Sequence, residues 1–307
     1  MKKSIWLIQA ALFYLFTLVI AYLPRYLSKR IGKKIGGLLF NVIRSRRSIA
    51  IENIRQALPF MKRHPAWSSP LETPEEIAHE TFLHLGMSIV EICLLYHGKG
   101  DATIDAIEVR GLENFERARA KHKGLILIGG HCGNWELMAL ASKKVYRESI
   151  SVIVRRQNNP YLNTLVDQMR MHYSNQMIYK VGALRPILNV IKNDGLIGML
   201  ADQAVFADDG ILIDVLGRKA WANKAPAIIA HKTGVPLVPM FIHREDNHHV
   251  LTIHPEYELR GDRTEEGIQL DIQALSRYLE DFVCAHPADC YGVHRRWKRA
   301  GEMVDAA

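Results

Sequence analysis

Acidic side chains are absent from the first 51 residues of this 307-residue chain, a stretch that carries ten lysines and arginines. Residues 52–307 hold 30 basic and 32 acidic side chains, so the overall net charge of +8 arises in the N-terminal segment alone. A body with a net charge of −2 lacks the basic surface on which nucleic-acid binding depends. The sequence therefore predicts no nucleic-acid partner.

Cysteine is also scarce, and the four cysteines show no Cys-x-x-Cys spacing. Their number and scatter favour a reducing compartment over a disulfide framework. The chain has no Gly-x-Ser-x-Gly motif, which serine hydrolases use to present their nucleophile. The polar run from His243 to His249 is interpreted as a hairpin loop between two apolar strands, and no metal site is predicted.

One uncharged, apolar run covers the twenty residues from Ser4 to Leu23. As a helix it would extend about 30 Å, the thickness of the hydrocarbon core of a bilayer. Trp6 and Tyr22 lie near its two ends, where aromatic side chains anchor membrane helices at the interface. We therefore predict a transmembrane or membrane-anchoring helix over residues 1–24. A helix that lies in the interface is the alternative, since Gln9 lowers the hydrophobicity of the run.

Eight basic residues follow the apolar run between Arg25 and Arg47, whereas two precede it. By the positive-inside rule, this asymmetry predicts that the chain beyond the run is cytoplasmic. Basic side chains so close to a membrane helix are expected to contact the headgroups of anionic phospholipids. Apolar residues at helical spacing predict helices over 28–57 and 75–97, joined by a loop from Pro59 to Pro74. Residues 25–100 are thus predicted to form a basic, membrane-proximal helical region.

Beyond Gly100 the pattern changes to short apolar runs that alternate with helical periodicities. Such alternation predicts an α/β domain over residues 101–307, with a central, mostly parallel sheet flanked by helices. The predicted strands are Gly124–Gly129, Ser151–Val154, Met177–Val181, Leu196–Ala201, Pro236–Ile242 and Val250–Ile253. The predicted helices cover residues 112–121, 134–145, 160–174, 184–193, 223–233 and 269–285.

The strand predicted at Gly124–Gly129 runs into a second glycine, then into His131 and a helix-forming run from Glu136. A histidine at the carboxyl end of a strand lies where α/β sheets build their active sites. With His131 before the helix and Glu136 in its first turn, we expect the carboxylate to contact and orient the imidazole, which then acts as a base. Cys132 is not expected to be a nucleophile activated by His131, because adjacent side chains in extended chain point to opposite faces. A lone His-x4-Glu spacing also arises by chance, so the strand, glycine and helix context carries the prediction.

A resemblance to a known family rests on Gly130–Glu136, Arg156–Pro160, Arg170, Leu200–Gln203 and His294–Lys298, in this order. These segments are similar to the family's His-x4-Asp/Glu, Arg-x-x-Asn, helix-arginine, Asp-Gln and His-Arg-Arg-aromatic-Lys motifs. The family is that of the bacterial late acyltransferases of lipid A biosynthesis, the lauroyl and myristoyl transferases, within the glycerolipid acyltransferase superfamily. The resemblance covers the chain from the N-terminal anchor to near the C-terminus.

The resemblance implies an O-acyltransferase on the bacterial inner membrane, with its catalytic domain on the cytoplasmic side. It would move a fatty acyl group from a thioester, on acyl carrier protein or on coenzyme A, to a hydroxyl of a lipid A precursor. Acyl carrier protein is the expected carrier, and no cofactor is implied. His131 and Glu136 would be the catalytic residues, and Asp202 a structural or ligand-positioning residue rather than a second base. The residues implied in substrate binding are Asn134, Arg156, Arg170, Asp202 and Gln203.

One segment departs from the family pattern and leaves the acceptor open. Val215 and Leu216 precede Gly217 where the family has an aromatic pair, and the run Lys219–Lys224 lacks the family's threonine. The same chemistry on another glycolipid or an aminolipid is therefore the first alternative. A non-enzymatic tether that binds anionic lipid through the basic segment is the second, and a thioesterase or phospholipase is the third.

Overall fold

The computed structural model of the chain describes residues 2–246, 248–290, 292, 294, 296, 297 and 300. Its helices are α1 Lys2–Ala21, α2 Arg25–Val42, α3 Arg44–Met61, α4 Pro74–Tyr96, α5 Asp101–Asp105, α6 Leu112–Arg119, α7 Trp135–Leu140, α8 Ser142–Val145, α9 Pro160–Met171, α10 Leu184–Lys192, α11 Ala225–Thr233 and α12 Glu265–Ala285. Its strands are β1 Glu108–Arg110, β2 Leu125–Gly129, β3 Ile150–Val154, β4 Gln176–Tyr179, β5 Leu196–Leu200, β6 Gly210–Val215, β7 Arg218–Asn223, β8 Leu237–Glu245 and β9 His248–Ile253. Arg295 and Lys298 of the closing motif lie outside the described residues.

Seven strands form one sheet in the order β1-β9-β8-β2-β5-β3-β4. Its strand pairs are parallel except β8 with β9, so the predicted α/β fold with a mostly parallel sheet is confirmed. The central strands β2 and β5 are almost entirely apolar and lie between two core clusters. Helices α6 and α7 contribute to one cluster, and α10 and α11 to the other, because a parallel sheet must bury both of its faces.

All six predicted strands exist, but β1, β6 and β7 were not predicted. β1 has three residues, too few to show a periodicity. β6 and β7 form a separate antiparallel hairpin whose two-residue turn is Leu216–Gly217, with φ of 52° and 79°. Two-residue turns with positive φ match the twist of a hairpin and usually contain Asn-Gly or Asp-Gly. Leu-Gly is not such a pair, so the hairpin could not be recognised from its turn residues.

Three boundaries differ from the predicted ones. The helix predicted over 28–57 is two helices, α2 and α3. Ile43 separates them because its ψ of 64° lies outside the helical range. The helix predicted over 134–145 is likewise divided into α7 and α8. The polar run from His243 to His249 is a hairpin, but most of it is strand, and His243 and His249 are buried.

Helices α2 and α4 cross with their backbones in direct contact. A Cβ atom at Gly86 of α4 would lie 2.1 Å from the carbonyl oxygen of Gly32 and 2.3 Å from the nitrogen of Gly36, both on α2. Glycine at these positions is therefore required by the close approach. The crossing fixes α2 on α4, which extends to the candidate active site.

Helix α1 is long and apolar enough to cross a membrane, and it also packs along the body. Near its start, Nδ2 of Asn159 donates a hydrogen bond to the carbonyl of Trp6 over 2.8 Å. Near its end, Oγ1 of Thr17 lies 2.9 Å from Nε2 of His97, and Ile20 is buried against α4. The large apolar side chains that α1 leaves exposed are Ile5, Leu7, Ile8, Leu12, Tyr14, Leu15, Phe16 and Val19.

Candidate active site

His131 and Asp202 follow two neighbouring parallel strands, and the structure brings them into contact. Gly129 at the end of β2 pairs with Leu200 at the end of β5, so the segments that continue both strands emerge side by side. Nδ1 of His131 lies 2.7 Å from Oδ1 of Asp202. This is the carboxyl edge of the sheet, where α/β folds place ligands and reactive groups.

The environment of Asp202 fixes its charge. Burial on its own would raise the pKa of this carboxyl, but the hydrogen bond from His131 and the positive charge of Arg296 lower the pKa below its usual value. Asp202 is therefore ionised near neutral pH and accepts a hydrogen bond, so the facing Nδ1 of His131 carries the proton. In the neutral imidazole, Nε2 is then the atom with a free electron pair.

Gln203 covers the other nitrogen of the imidazole. Its Nε2 lies 3.3 Å from Nε2 of His131 and 3.3 Å from Nε2 of His294. The ring of Trp135 packs edge-on against His131, with the ring centres 5.3 Å apart. His131 is thus held by a carboxylate, an amide and an indole, while a quarter of its side chain stays exposed.

Glu136 contacts Arg170 in the structure and not the imidazole. The guanidinium of Arg170 donates to both carboxylate oxygens of Glu136, over 2.6 Å and 3.2 Å. The carboxylate that contacts His131 is that of Asp202, which differs from the contact expected between Glu136 and His131. Gly133, with a φ of 53°, and Asn134 turn the chain between His131 and Glu136, so the two side chains leave the loop in different directions. Burial would lower the pKa of Arg170, but the charge and hydrogen bonds of Glu136 outweigh burial and raise it above its usual value.

Two cavities meet at His131. The first has a volume of about 230 Å³, and His131, Glu136 and Arg170 line it. Its remaining wall is mostly apolar and comes from β2, β3, β5 and α7, with Leu127, Met138, Leu140, Ile150, Val152 and Met199 among its members. The second has a volume of about 100 Å³; His131, Asp202, Gln203 and His294 line one part of it, and apolar side chains such as Met61, Leu216 and Leu279 line much of the rest. His131 is therefore accessible from two separate cavities.

Asn134 faces the interior, away from both cavities. Its side chain is buried, and its Nδ2 donates to Oε2 of Glu91 on α4 over 2.9 Å. The same carboxylate accepts two hydrogen bonds from Arg244 and lies 2.9 Å from Nε2 of His249. Burial alone would raise the pKa of Glu91, but the contacts with His249 and Arg244 hold it at about 2. Asn134, predicted to bind substrate, instead connects the His131 loop to a buried ionic cluster.

Arg156 and Cys132 also have defined surroundings. The guanidinium of Arg156 lies over the ring of Tyr179, 4.4 Å from its centre, whereas the neighbouring Arg155 and Gln157 line the first cavity. Cys132 is buried next to Phe241, and burial raises the pKa of its thiol well above its usual value. A thiol with a raised pKa is a poor nucleophile near neutral pH, in agreement with the sequence argument.

Glu91 was not among the predicted site residues, and His294 was predicted only as part of a family motif, with no role. Glu91 had a signal, because it is a lone carboxylate in an otherwise apolar stretch of α4 and such a group needs buried partners. Its partners Asn134, Arg244 and His249 come from two distant segments, so their identity depends on the fold. The same holds for His294, which reaches Gln203 from 91 residues away.

The chain is similar in sequence to known proteins of one family over most of its length. Residues 2–299 match the family described as "Bacterial lipid A biosynthesis acyltransferase". A "Lipid A biosynthesis acyltransferase" of Haemophilus influenzae is 21% identical over 94% of this chain and 86% of its own length. A "Lipid A biosynthesis palmitoleoyltransferase" of Escherichia coli is 22% identical over 87% of this chain and 84% of its own. A "Lipid A biosynthesis lauroyltransferase" of Escherichia coli is 19% identical over 93% of this chain and 90% of its own.

Proposed function

The chain belongs to the bacterial lipid A biosynthesis acyltransferase family and is an O-acyltransferase, and from this premise we propose that it transfers a fatty acyl group from acyl carrier protein to a hydroxyl of a lipid A precursor. His131 is the general base of this proposal. The observation that carries it is the contact between His131 and Asp202 at the point where the two cavities meet. No cofactor takes part in the proposed reaction.

The proposed step uses the free electron pair on Nε2 of His131. The acceptor hydroxyl displaces the amide of Gln203 from Nε2, donates its proton there, and its oxygen attacks the thioester carbonyl carbon. When the tetrahedral intermediate collapses, the carbon–sulfur bond breaks and the leaving sulfur takes the proton from His131. Ester and thiol are the products. Asp202 keeps the imidazole in the required tautomer and stabilises the transient imidazolium.

The two cavities suggest where the substrates bind. Apolar side chains from four elements line most of the first cavity, so we place the acyl chain there, with the thioester carbonyl next to His131. The second cavity opens beside Gln203 and His294, where the acceptor hydroxyl reaches Nε2. Glu136 and Arg170 line the first cavity as an ion pair, and we assign to Arg170 the role of holding Glu136 at the cavity wall. Arg156 lies on the loop next to that cavity, with its guanidinium over the ring of Tyr179. We propose that it guides the anionic acyl carrier protein to the site.

Membrane attachment is part of the proposal. Helix α1 either spans the inner membrane or lies in its interface, and the basic residues of α2 and α3 contact anionic phospholipid. Lys29, Arg30, Lys33 and Lys34 are all exposed on α2, as this contact requires. The catalytic body then works on the cytoplasmic side, where acyl thioesters are made.

The test is an assay of acyl transfer with labelled acyl–acyl carrier protein, labelled acyl-coenzyme A and a lipid A precursor in mixed micelles. We expect label in the glycolipid with the native protein and a loss of at least about 10²-fold with His131→Ala. His79→Ala, an exposed histidine of α4, is the matched control and is expected to keep full activity. Full transfer by His131→Ala would disprove the proposed base. Label in free fatty acid alone would favour a thioesterase. Label in an aminolipid would show that the acceptor is a different lipid, and no label in any product would favour a non-enzymatic tether.

A further inference from the structure

The turn after β4 exposes apolar side chains at the carboxyl edge of the sheet. Val181 is 95% exposed, Leu184 59% and Leu188 38%. Single exposed apolar residues are ordinary on a protein surface, but three within eight positions form a patch. We call residues 180–188 the α10 tip.

The charged residues in the chain segment that contains the α10 tip are all basic. No acidic residue occurs between Asp167 and Asp194. Lys180, Arg185 and Lys192 are all exposed there. Apolar side chains flanked by exposed basic ones are the composition of surfaces that insert into anionic leaflets.

The α10 tip is continuous with α1 through α9. Asn159, which caps the start of α9, donates to the carbonyl of Trp6 on α1. One turn later, Nδ2 of Asn163 donates to the hydroxyl of Tyr179, the residue before the tip. Between these two contacts the ring of Tyr161 is 42% exposed. The first turn of α9 thus joins α1, at Trp6, to the residue that precedes the α10 tip.

We propose that the α10 tip is a second membrane-inserting surface, which enters the same anionic leaflet as α1. This inference rests on the proposed membrane attachment and adds the orientation of the body. The backbone N–H of Lys180 donates to the carbonyl of Val154, the residue before Arg155 at the wall of the first cavity. With the tip inserted, that side of the first cavity faces the leaflet. An acidic carrier protein would also meet the basic side chains, but it does not account for the exposed apolar groups.

The test places an environment-sensitive fluorophore on Val181→Cys in the full chain, in a Cys290→Ser background, because Cys93, Cys132 and Cys284 are buried. The matched control is Leu270→Cys on α12, a position that is 61% exposed. Vesicles of phosphatidylglycerol and phosphatidylethanolamine, with and without spin-labelled acyl chains, are the probe. We expect a blue shift and quenching at position 181 and neither at position 270. The double variant Val181→Ser/Leu184→Ser is expected to weaken vesicle partitioning about tenfold, whereas Leu270→Ser leaves it unchanged.

The outcomes separate this inference from the proposed function. A chain that floats with vesicles while the label at position 181 stays in water would overturn the second surface and leave the attachment through α1 intact. A chain that does not associate with vesicles at all would overturn both. A label shift caused by acyl carrier protein, or by raising the protein concentration without lipid, would assign the tip to a carrier or to a second copy instead. Acyl transfer in detergent micelles is measured separately, so a failure of the catalytic proposal is recognised by itself.

Discussion

Nδ1 of His131 and Oδ1 of Asp202 lie 2.7 Å apart, although 71 residues separate them in the sequence. Both residues follow paired parallel strands, so their contact depends on the register of β2 against β5. A shift of either strand by one residue would turn the side chains of that strand to the opposite face of the sheet. The orientation of the proposed base is thus a property of the sheet and not of the loop in which the histidine lies.

Asp202→Asn tests the orienting role of the carboxylate. The amide retains the shape of the side chain, but its NH₂ group favours the imidazole tautomer with the proton on Nε2, which cannot accept the proton of the acceptor. We expect kcat for acyl transfer to fall by about 10²- to 10⁴-fold with an unchanged fold. Circular dichroism checks the fold, and Asp214→Asn on the exposed hairpin is the control. Activity within a few-fold of the native enzyme would remove Asp202 from the mechanism.

The pair of Glu136 and Arg170 is expected to respond differently to one and to two substitutions. Arg170→Met leaves a mostly buried carboxylate without its partner, which is expected to cost about 3 kcal/mol in free energy of unfolding. Glu136→Gln/Arg170→Met removes the stranded charge, so stability is expected to recover while acyl transfer stays low. Denaturant unfolding and the transfer assay measure the two effects.

The control for this pair is Lys219→Met. It breaks an ion pair whose side chains are both 58% exposed and should change stability by about 0.5 kcal/mol or less. Recovery of transfer in the double variant would show that Glu136 and Arg170 serve only to neutralise each other.

The protonation of His84 is expected to make the stability of the folded protein fall at alkaline pH. Burial alone would lower its pKa, but hydrogen bonds to Asp289 and Glu80 outweigh burial and raise the pKa from 6.5 to about 9. Because the pKa of His84 is higher in the folded than in the unfolded state, its protonation stabilises the fold. This stabilisation is fully present below about pH 6.5 and disappears as the pH rises through 9. The free energy of unfolding lost in His84→Asn is therefore expected to be on the order of 3 kcal/mol at pH 6 and to shrink towards zero by pH 10.

Unfolding curves of both proteins between pH 6 and pH 10 measure this difference. His79→Asn, an exposed histidine of the same helix, is expected to cost little at any of these pH values. A cost for His84→Asn that does not change with pH would mean that the side chain stabilises by packing and not by its charge.

Gly198 is expected to set the depth of the first cavity. It lies in the middle of β5 at the cavity wall, and a Cβ atom there would lie 3.0 Å from Cδ1 of Ile150 and 3.3 Å from Cγ1 of Val152. Gly198→Val fills this space, so we expect transfer of the longest accepted chains to fall about tenfold or more relative to shorter ones. Mass spectrometry of products from mixed acyl donors measures the ratio. Gly37→Ala, whose nearest neighbour would be 3.9 Å away, is expected to leave the preference unchanged.

Local sequence patterns were sufficient to predict most of the elements and the family. The alternation of apolar runs with helical periodicities predicted six strands and the mostly parallel sheet, because both signals are local and repeat every few residues. The strand, glycine, histidine and helix order placed His131 at a strand end, and the spaced motifs identified the family that residues 2–299 match. The catalytic roles of His131 and Glu136 stay predictions, as do the division at residues 24 and 100 and the choice of acyl carrier.

Which side chains meet depends on the packing of the folded chain. Glu136 is five residues from His131, yet the chain turns at Gly133 and delivers it to Arg170. The strand order brings Asp202 to His131, and the crossing of α4 brings Glu91 to Asn134. Side-chain contacts over such separations depend on strand register, helix crossing and backbone direction. Those properties follow from the packing of the whole chain and leave no periodic trace in its sequence.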